Sequence, residues 1–192
     1  MRAALGDRRR AVFLDRDGVI NRALVRNRKP YAPWHLGEFR LLPGVTDAVA
    51  ALKSVGFLVI VVTNQPDLGD GLMTPEALEA MHTRLSARVA VDAILVCPHR
   101  RDEGCECRKP KPGLIHRAAA DWSIDVRRSY LVGDRATDIV AGVAAGLYTL
   151  FLDRGYAELL IEQPDLKVGS LRQAVRRILT READEAAARG AD

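Results

Sequence analysis

Cysteine is scarce in this chain, and what there is stands in one place. Three cysteines occur in 192 residues, at positions 97, 105 and 107. An odd, tightly spaced set is a poor disulfide framework and a good metal-ligand cluster. Long apolar runs are missing as well. The stretch Ala11 to Leu14 ends after four residues at Asp15, so the sequence predicts neither a signal peptide nor a membrane span. A strong charge bias is also absent. Lys and Arg total 29 against 25 Asp and Glu, a net charge of +4. That small excess suits an anionic ligand and is too diffuse to argue for nucleic acid. The one basic run, Arg8-Arg9-Arg10, reads as a solvated lead into a strand. There is no repeat and no linker. The expectation is a cytoplasmic monomer folded as a single domain over 1–192, with its core at about 10–180.

What is present is an alternation of strand and helix signals. Ala11 to Leu14 is a short buried strand. Residues 16–43 follow as a long polar stretch with Pro30, Pro33, Trp34 and Gly37, and a loop of that length is usually functional. Pro43-Gly44 opens a helix that Gly56 ends, and Phe57 to Val62 is a second, β-branched strand. Thr63 to Leu72 is a glycine-containing loop. Thr74-Pro75 starts a helix with a capping hydroxyl and a proline at its first position. A third strand at Ala93 to Val96 leads into the cysteine-rich loop. A helix runs from Pro112-Gly113 to about Trp122, and a strand at Tyr130 to Val132 ends on Gly133-Asp134. The next helix is capped by Gly146, and Leu147 to Leu152 forms a strand. After another short strand, Ser170 and Gln173 form a capping-box pattern, and residues beyond Thr180 are expected to fray. Such a pattern predicts an α/β fold: a doubly wound, mostly parallel sheet with helices on both faces. In these sheets ligands lie beyond the carboxyl ends of the strands.

Four strand ends carry polar clusters: Asp15-Arg16-Asp17-Gly18, Thr63-Asn64, Cys97 to Lys109, and Gly133-Asp134. In extended backbone Asp15 and Asp17 project to one side, with Arg16 turned away. Paired carboxylates repel unless a cation or proton sits between them. Asp134, arriving from another strand, completes an oxygen-rich site that suits Mg²⁺. A carboxylate can also attack phosphorus and form an aspartyl phosphate.

At these residues the chain resembles the haloacid dehalogenase superfamily. Phe13-Leu14-Asp15-Arg16-Asp17-Gly18-Val19-Ile20-Asn21 resembles its first motif. Thr63-Asn64-Gln65, Arg108-Lys109-Pro110 and Gly133-Asp134-Arg135-Ala136-Thr137-Asp138 resemble the other three. Their order and spacing match the branch holding the heptose bisphosphate and histidinol phosphate phosphatases, over roughly residues 10 to 156. The resemblance implies a haloacid dehalogenase-like Rossmannoid without a large cap domain. It implies a magnesium-dependent phosphomonoesterase acting on the 7-phosphate of a heptose 1,7-bisphosphate, with histidinol phosphate or another small sugar phosphate as the alternative. The rival from a different class is a non-catalytic, zinc-stabilised binding module. The resemblance makes Asp15 the nucleophile, and Asp17 the acid for the leaving alkoxide and then the base for water. Asp15, the Asp17 backbone carbonyl and Asp134 are the implied Mg²⁺ ligands. Thr63, Asn64, Lys109 and Arg135 are expected on the phosphate, with Arg108 gripping a part of the substrate that does not react. Lys109 fits the charge-neutralising lysine better than Lys111, and Asp138 would orient the site. The Thr63 to Asp67 match and the short gap in the cysteine loop lean toward the α-anomer. One departure stands out: Leu68-Gly69-Asp70-Gly71 replaces an expected Ala-Arg-Gly-like turn, placing an acid where a base would stand beside the phosphate.

Cys97, His99, Cys105 and Cys107 offer three thiolates and one imidazole, a closed tetrahedral set for structural Zn²⁺. A clip over 97–107 would fix the loop that delivers Lys109, and the resembled branch carries a zinc loop of this kind. His82 reads as packed or solvated, not as a ligand. The 22–42 stretch, with Arg26, Lys29 and Tyr31 beside Asp15, is a candidate wall of the substrate pocket.

Overall fold

The computed structural model describes residues 8–189. Six strands form one parallel sheet: β1 (Ala11–Leu14), β4 (Leu58–Asn64), β5 (Ala93–Cys97), β6 (Tyr130–Gly133), β7 (Tyr148–Leu152) and β8 (Leu166–Val168). Their spatial order is β5-β4-β1-β6-β7-β8. Chain order reverses direction at β1, with β4 on one flank and β6 on the other. This is the switch point at which the crossovers part and leave a crevice above the strand ends. β4 runs two residues further than the sequence predicts, so Thr63 and Asn64 are held by ladder bonds to β5.

Strand residues alternate between two buried faces, as expected of a sheet covered on both sides. Val12, Leu14, Val59, Val61 and Val132 face one core with Leu52 of α1 (Val45–Ser54), Met81 and Leu85 of α3 (Pro75–Ser86) and Ile178 of α6 (Leu171–Arg189). Ala11, Phe13, Ile60, Val62 and Leu131 face the other, against Ile115 of α4 (Gly113–Asp121) and Ala141 of α5 (Ala136–Ala145). Thr74 caps α3 by accepting from the Ala77 amide, and Gly146 closes α5 at φ +78°. No helix among the described residues is long and apolar enough to cross a membrane.

Five local expectations need correction. The 16–43 stretch is not structureless: it holds an antiparallel hairpin of β2 (Leu24–Arg26) and β3 (Lys29–Tyr31). Asn27 and Arg28 make its turn in the left-handed region, a conformation the sequence signals poorly without a glycine. The loop after β4 contains a short helix, α2 (Pro66–Gly69). At the start of α6 the Gln173 amide donates to Ser170 Oγ, but the Gln173 side chain accepts from the Gly169 amide and not from that of Ser170, so the capping box is incomplete. That helix also runs on to Arg189 without fraying at Thr180. Glu182 accepts from Tyr130 Oη at 2.7 Å and pairs with Arg10, whose guanidinium lies 4.7 Å from the Phe57 ring centroid. Arg10 is therefore a tie between β1 and α6 and not a solvated lead-in.

Candidate active site

Asp15 directly follows β1, and its amide donates to Val132 of β6 at 3.0 Å. This bond fixes the residue at the mouth of the sheet. Lys109 arrives from the cysteine-rich loop with 3% of its surface exposed. Its Nζ lies 2.6 Å from Asp15 Oδ1, 2.6 Å from Asp138 Oδ1 and 2.8 Å from the Val62 carbonyl oxygen. Burial pushes the Asp15 carboxyl up to about 7; Lys109 opposes the shift, and Asp138 and Asp17 add to it. For Lys109, burial works against the charge, but Asp138 and Asp15 outweigh it and hold the amine above the ordinary lysine value. Lys111 instead reaches outward to Glu106 at 2.7 Å and the Gly104 carbonyl, so the structure brings Lys109 and not Lys111 to Asp15.

Asp134, at the end of β6, is 1% exposed, and neither of its carboxylate oxygens has a hydrogen-bond partner. Burial, then Asp15 and Asp138, hold this carboxyl well above the carboxylate range. Carboxylate oxygens of Asp15, Asp134 and Asp138 lie within 4.8 Å of one another. A buried, unpartnered acid facing two others is expensive without a counter-ion, and three hard oxygens at this spacing fit a small divalent cation. Asp138 is positioned as its own chain dictates: Oδ2 accepts from the Asp134 and Arg135 amides at 3.1 and 3.0 Å. Gly18 (φ +91°) lets the backbone pass close to Asp134, since a Cβ there would stand 1.8 Å from Asp134 Oδ2.

Asp17 is not part of that carboxylate cluster. Its carboxylate accepts from Arg16 Nε and Nη2, from Asn21 Nδ2 at 2.8 Å and from Gln65 Nε2 at 2.8 Å. Arg16 is thus folded onto the Asp17 side chain and not turned away from it. These donors hold the Asp17 side chain, which is not grouped with the carboxylates of Asp15, Asp134 and Asp138.

The cavity above these residues has a volume of about 180 Å³. Asp15, Asp17, Thr63, Lys109 and Asp138 line it together with Arg101, Arg108 and Arg135. The Thr63 hydroxyl accepts from Gln65 at 2.9 Å and keeps its own proton free. Asn64 differs from expectation. Its Oδ1 accepts from the Lys109 amide at 3.1 Å and its Nδ2 donates to the Lys109 carbonyl at 3.0 Å, so most of this side chain holds the lysine loop. Arg108 Nη1 is buried without a partner, whereas Arg135 is ion-paired to Glu158. The hairpin contributes Pro30 and Tyr31 to the wall, with Ala23 and Ala32 at its base, and not Arg26 or Lys29. Arg26 lies over the Tyr31 ring, 5.8 Å from its centroid. Asp70 does not face the cavity: its carboxylate pairs with Arg100 at 3.5 Å.

The cysteine cluster is assembled as its spacing predicts. Cys97 Sγ lies 3.6 Å from Cys105 Sγ and 3.6 Å from His99 Nδ1, Cys107 Sγ lies 3.5 Å from Cys105 Sγ, and His99 Nδ1 lies 3.1 Å from Cys107 Sγ. A tetrahedral Zn²⁺ with bonds of about 2.3 Å to sulfur has edges of roughly 3.8 Å, and the donor set fits it. Gly69 makes room for this loop, since a Cβ would stand 2.9 Å from the Pro98 carbonyl oxygen and from Arg100 Cγ.

Sequence reasoning gave no role to Asn21 and Gln65, although both lie inside the motifs quoted for Asp17 and Thr63. Residue type carried the signal, since each is an amide two to four positions from an acid or hydroxyl of the site. Arg154, whose Nε donates to the Gly18 carbonyl at 2.9 Å, carried none.

Comparison with known proteins agrees with this geometry. The family profile described as HAD-hydrolase-like matches residues 106–174. A D-glycero-beta-D-manno-heptose-1,7-bisphosphate 7-phosphatase of Pseudomonas putida is 38% identical over 160 residues, covering 79% of this chain and 87% of that protein. The enzyme of the same name from Escherichia coli K12 is 38% identical over 157 residues, covering 75% and 78%. The crystal structure of D,D-heptose 1,7-bisphosphate phosphatase from B. bronchiseptica, complexed with magnesium and phosphate, superposes with a TM-score of 0.76 at 28% identity, covering 90% of this chain and 99% of that one. These relatives by sequence are named for the beta anomer, and so do not support the lean toward the α-anomer.

Proposed function

The chain belongs to the haloacid dehalogenase-like hydrolases, together with the heptose-1,7-bisphosphate 7-phosphatases, and from that premise we propose that it is a magnesium-dependent phosphomonoesterase that removes the 7-phosphate of D-glycero-D-manno-heptose 1,7-bisphosphate. The observation that carries the reading is the buried set formed by Asp15 and Asp134 at the carboxyl ends of β1 and β6 with Lys109 and Asp138 against them. In the reaction an Asp15 carboxylate oxygen attacks phosphorus, the ester P–O bond breaks, and the leaving alkoxide takes a proton from Asp17. Water then attacks the phospho-aspartate while Asp17 takes its proton, which restores Asp15 and releases phosphate. One carboxyl serves both halves because the second step is the reverse of the first with water as the alcohol.

Thr63, with its free hydroxyl proton, and Lys109 compensate charge on the transferring phosphoryl group. Asn64 serves by holding Lys109, and Arg135 borders the phosphate through its place on the rim. Asp15, Asp134 and the Asp17 carbonyl would hold Mg²⁺, with Asp138 beside them. When bound, the ion neutralises phosphoryl oxygens and screens the acids from one another. Cys97, His99, Cys105 and Cys107 hold a structural Zn²⁺ in this reading, which leaves no open position for chemistry. We place the enzyme in the cytoplasm, where free thiols persist, as a single-domain monomer.

The test is phosphate release by the purified chain from the α and β anomers of heptose 1,7-bisphosphate, histidinol phosphate and simple sugar monophosphates. The bisphosphate is expected to show the highest kcat/KM, with the β anomer preferred. A higher value for histidinol phosphate would move the substrate to the alternative branch. No Mg²⁺-dependent release from any of them would sink the phosphatase reading.

A further inference from the structure

Arg16 is a charged side chain with no exposed surface. A guanidinium removed from water needs an acceptor for each edge it presents. Asp17 answers one edge: Nε and Nη2 lie 3.2 and 3.0 Å from Oδ2, and Nη2 lies 3.1 Å from Oδ1. The remaining nitrogen, Nη1, lies 3.1 Å from Nε2 of His82 on α3. For a guanidinium to donate there, the imidazole must be uncharged with its lone pair on Nε2. Burial, then the Arg16 charge, push His82 down to about 4, so the ring is neutral around pH 7. His82 is thus an acceptor for a buried cation. The ring is half-buried on α3 and stands outside both groups of potential metal ligands.

We infer that His82, acting through Arg16, is a positioning residue for Asp17 and holds that carboxyl in the attitude from which it protonates a poor leaving group. This rests on the acid role proposed above for Asp17. The other two donors to Asp17 belong to the site's own loops: Asn21 lies four residues along the same turn, and Gln65 follows β4. The link from Arg16 to His82 ties the carboxyl to α3, which Leu78, Met81 and Leu85 anchor in the core. Without the acceptor, Nη1 of the buried guanidinium loses its partner. The guanidinium must turn to satisfy it, and the two-nitrogen fork on Asp17 is lost. In the step affected, the ester P–O bond breaks with its electron pair left on oxygen. The Asp17 proton passes to that oxygen, and Asp17 is left as a carboxylate. Arg16 and His82 exchange no proton.

The experiment compares kcat/KM for a sugar phosphate, whose alkoxide needs a proton, with that for p-nitrophenyl phosphate, whose phenolate does not. This parameter covers events only up to formation of the phospho-aspartate, so the later use of Asp17 as base does not enter. His82→Leu should lower the sugar-phosphate value about ten-fold, part of what a general acid contributes, and leave the aryl value within about twofold. His82→Gln, whose amide oxygen can accept from Nη1, should recover most of the sugar-phosphate loss. If His82→Leu does not fold, Arg16→Lys is read the same way, since an ammonium cannot fork onto Asp17 while reaching His82. Equal losses on both substrates, no loss on either, or no recovery in His82→Gln overturns the inference and leaves the phosphatase reading standing. A wild-type enzyme inactive on both substrates would remove the phosphatase reading and this inference together.

Discussion

The Lys109 ammonium and Oδ1 of Asp15 lie 2.6 Å apart with both side chains buried, and the same ammonium is 2.6 Å from Asp138. One cation thus compensates two carboxylates, with a third acid, Asp134, beside them. Lys109→Ala would leave buried charge without its partner, at a cost of about 3–5 kcal/mol when one member of a buried pair is removed. It should also lower kcat about 10²–10³-fold by removing a donor to the phosphoryl group. Urea midpoints in Mg²⁺-free buffer and steady-state phosphate release measure the two effects. A Lys109→Ala protein that unfolds within about 1 kcal/mol of wild type would show that Lys109 does not compensate the buried acids.

Gly18 is constrained twice, by φ +91° and by the approach of Asp134 Oδ2. Gly18→Ala cannot be relieved by a small side-chain rotation, because the offending oxygen belongs to the carboxylate that would face the metal. The variant should need at least about ten-fold more Mg²⁺ for half-maximal activity, a change of roughly 1.4 kcal/mol in metal binding. A Mg²⁺ titration of activity decides it. An unchanged half-saturation would mean that Asp134 is not a ligand.

The Asp15 carboxyl is raised from 3.8 to about 7, chiefly by burial, and Asp134 moves the same way. Between these values the native metal-free protein keeps a proton that the unfolded chain has lost. The unfolded state binds fewer protons there, so stability falls as pH rises. The contribution is complete below about pH 4 and is lost as pH passes 7. A bound divalent cation replaces those protons, so its binding releases them and strengthens with pH. In buffer without chelator, the rise in Tm on adding Mg²⁺ should be larger at pH 8 than at pH 5.5. A pH-independent rise would contradict the assignment of Asp15 and Asp134 as ligands.

The strand-end acids were legible because a parallel sheet delivers residues at fixed places. Asp15, Thr63 and Asp134 needed only the strand boundaries to be brought together. The cysteine spacing likewise contained its own geometry. What stayed hidden depended on side-chain partners far along the chain. His82 read only as packed or solvated because its partner, Arg16, lies on another element. Asp70 looked like an opposing charge at the phosphate because Arg100, which pairs with it, sits in a loop whose course the sequence does not specify. The hairpin was missed because its turn residues, Asn27 and Arg28, lack the glycine that marks such turns.

The Cys97–Cys107 cluster and the lysine are connected by the chain itself. Cys107 lies two residues before Lys109, and the Asn64 side chain grips the Lys109 backbone from the other side. Cys105→Ser should abolish stoichiometric zinc and loosen the loop, lowering kcat more than it lowers Tm for a chain whose sheet is unaffected. Elemental analysis of protein made with zinc available tests the first claim, and paired kcat and Tm measurements the second. Protein holding no zinc, or a variant with wild-type kcat, would sever the link.

Arg108 also has an unmet demand. Its Nη1 is buried without a partner, and its side chain borders the cavity beside Lys109. A planar guanidinium in that position suits a second phosphate or vicinal hydroxyls of the substrate. Asp70 will not oppose it, since that carboxylate is taken by Arg100. A charged hydrogen bond to a part of the substrate remote from the reacting phosphate is worth about 2–3 kcal/mol. Arg108→Ala should therefore lower kcat/KM for heptose 1,7-bisphosphate by roughly 30- to 150-fold. Simple monophosphates, which lack the second group, should lose about threefold or less. Removing a guanidinium with one buried, unsatisfied nitrogen should also leave Tm unchanged or slightly raised, which separates a substrate contact from a structural one. If the bisphosphate and the monophosphates fall by the same factor, Arg108 touches the reacting phosphate itself, and the second phosphate must be sought at Arg101 on the same rim.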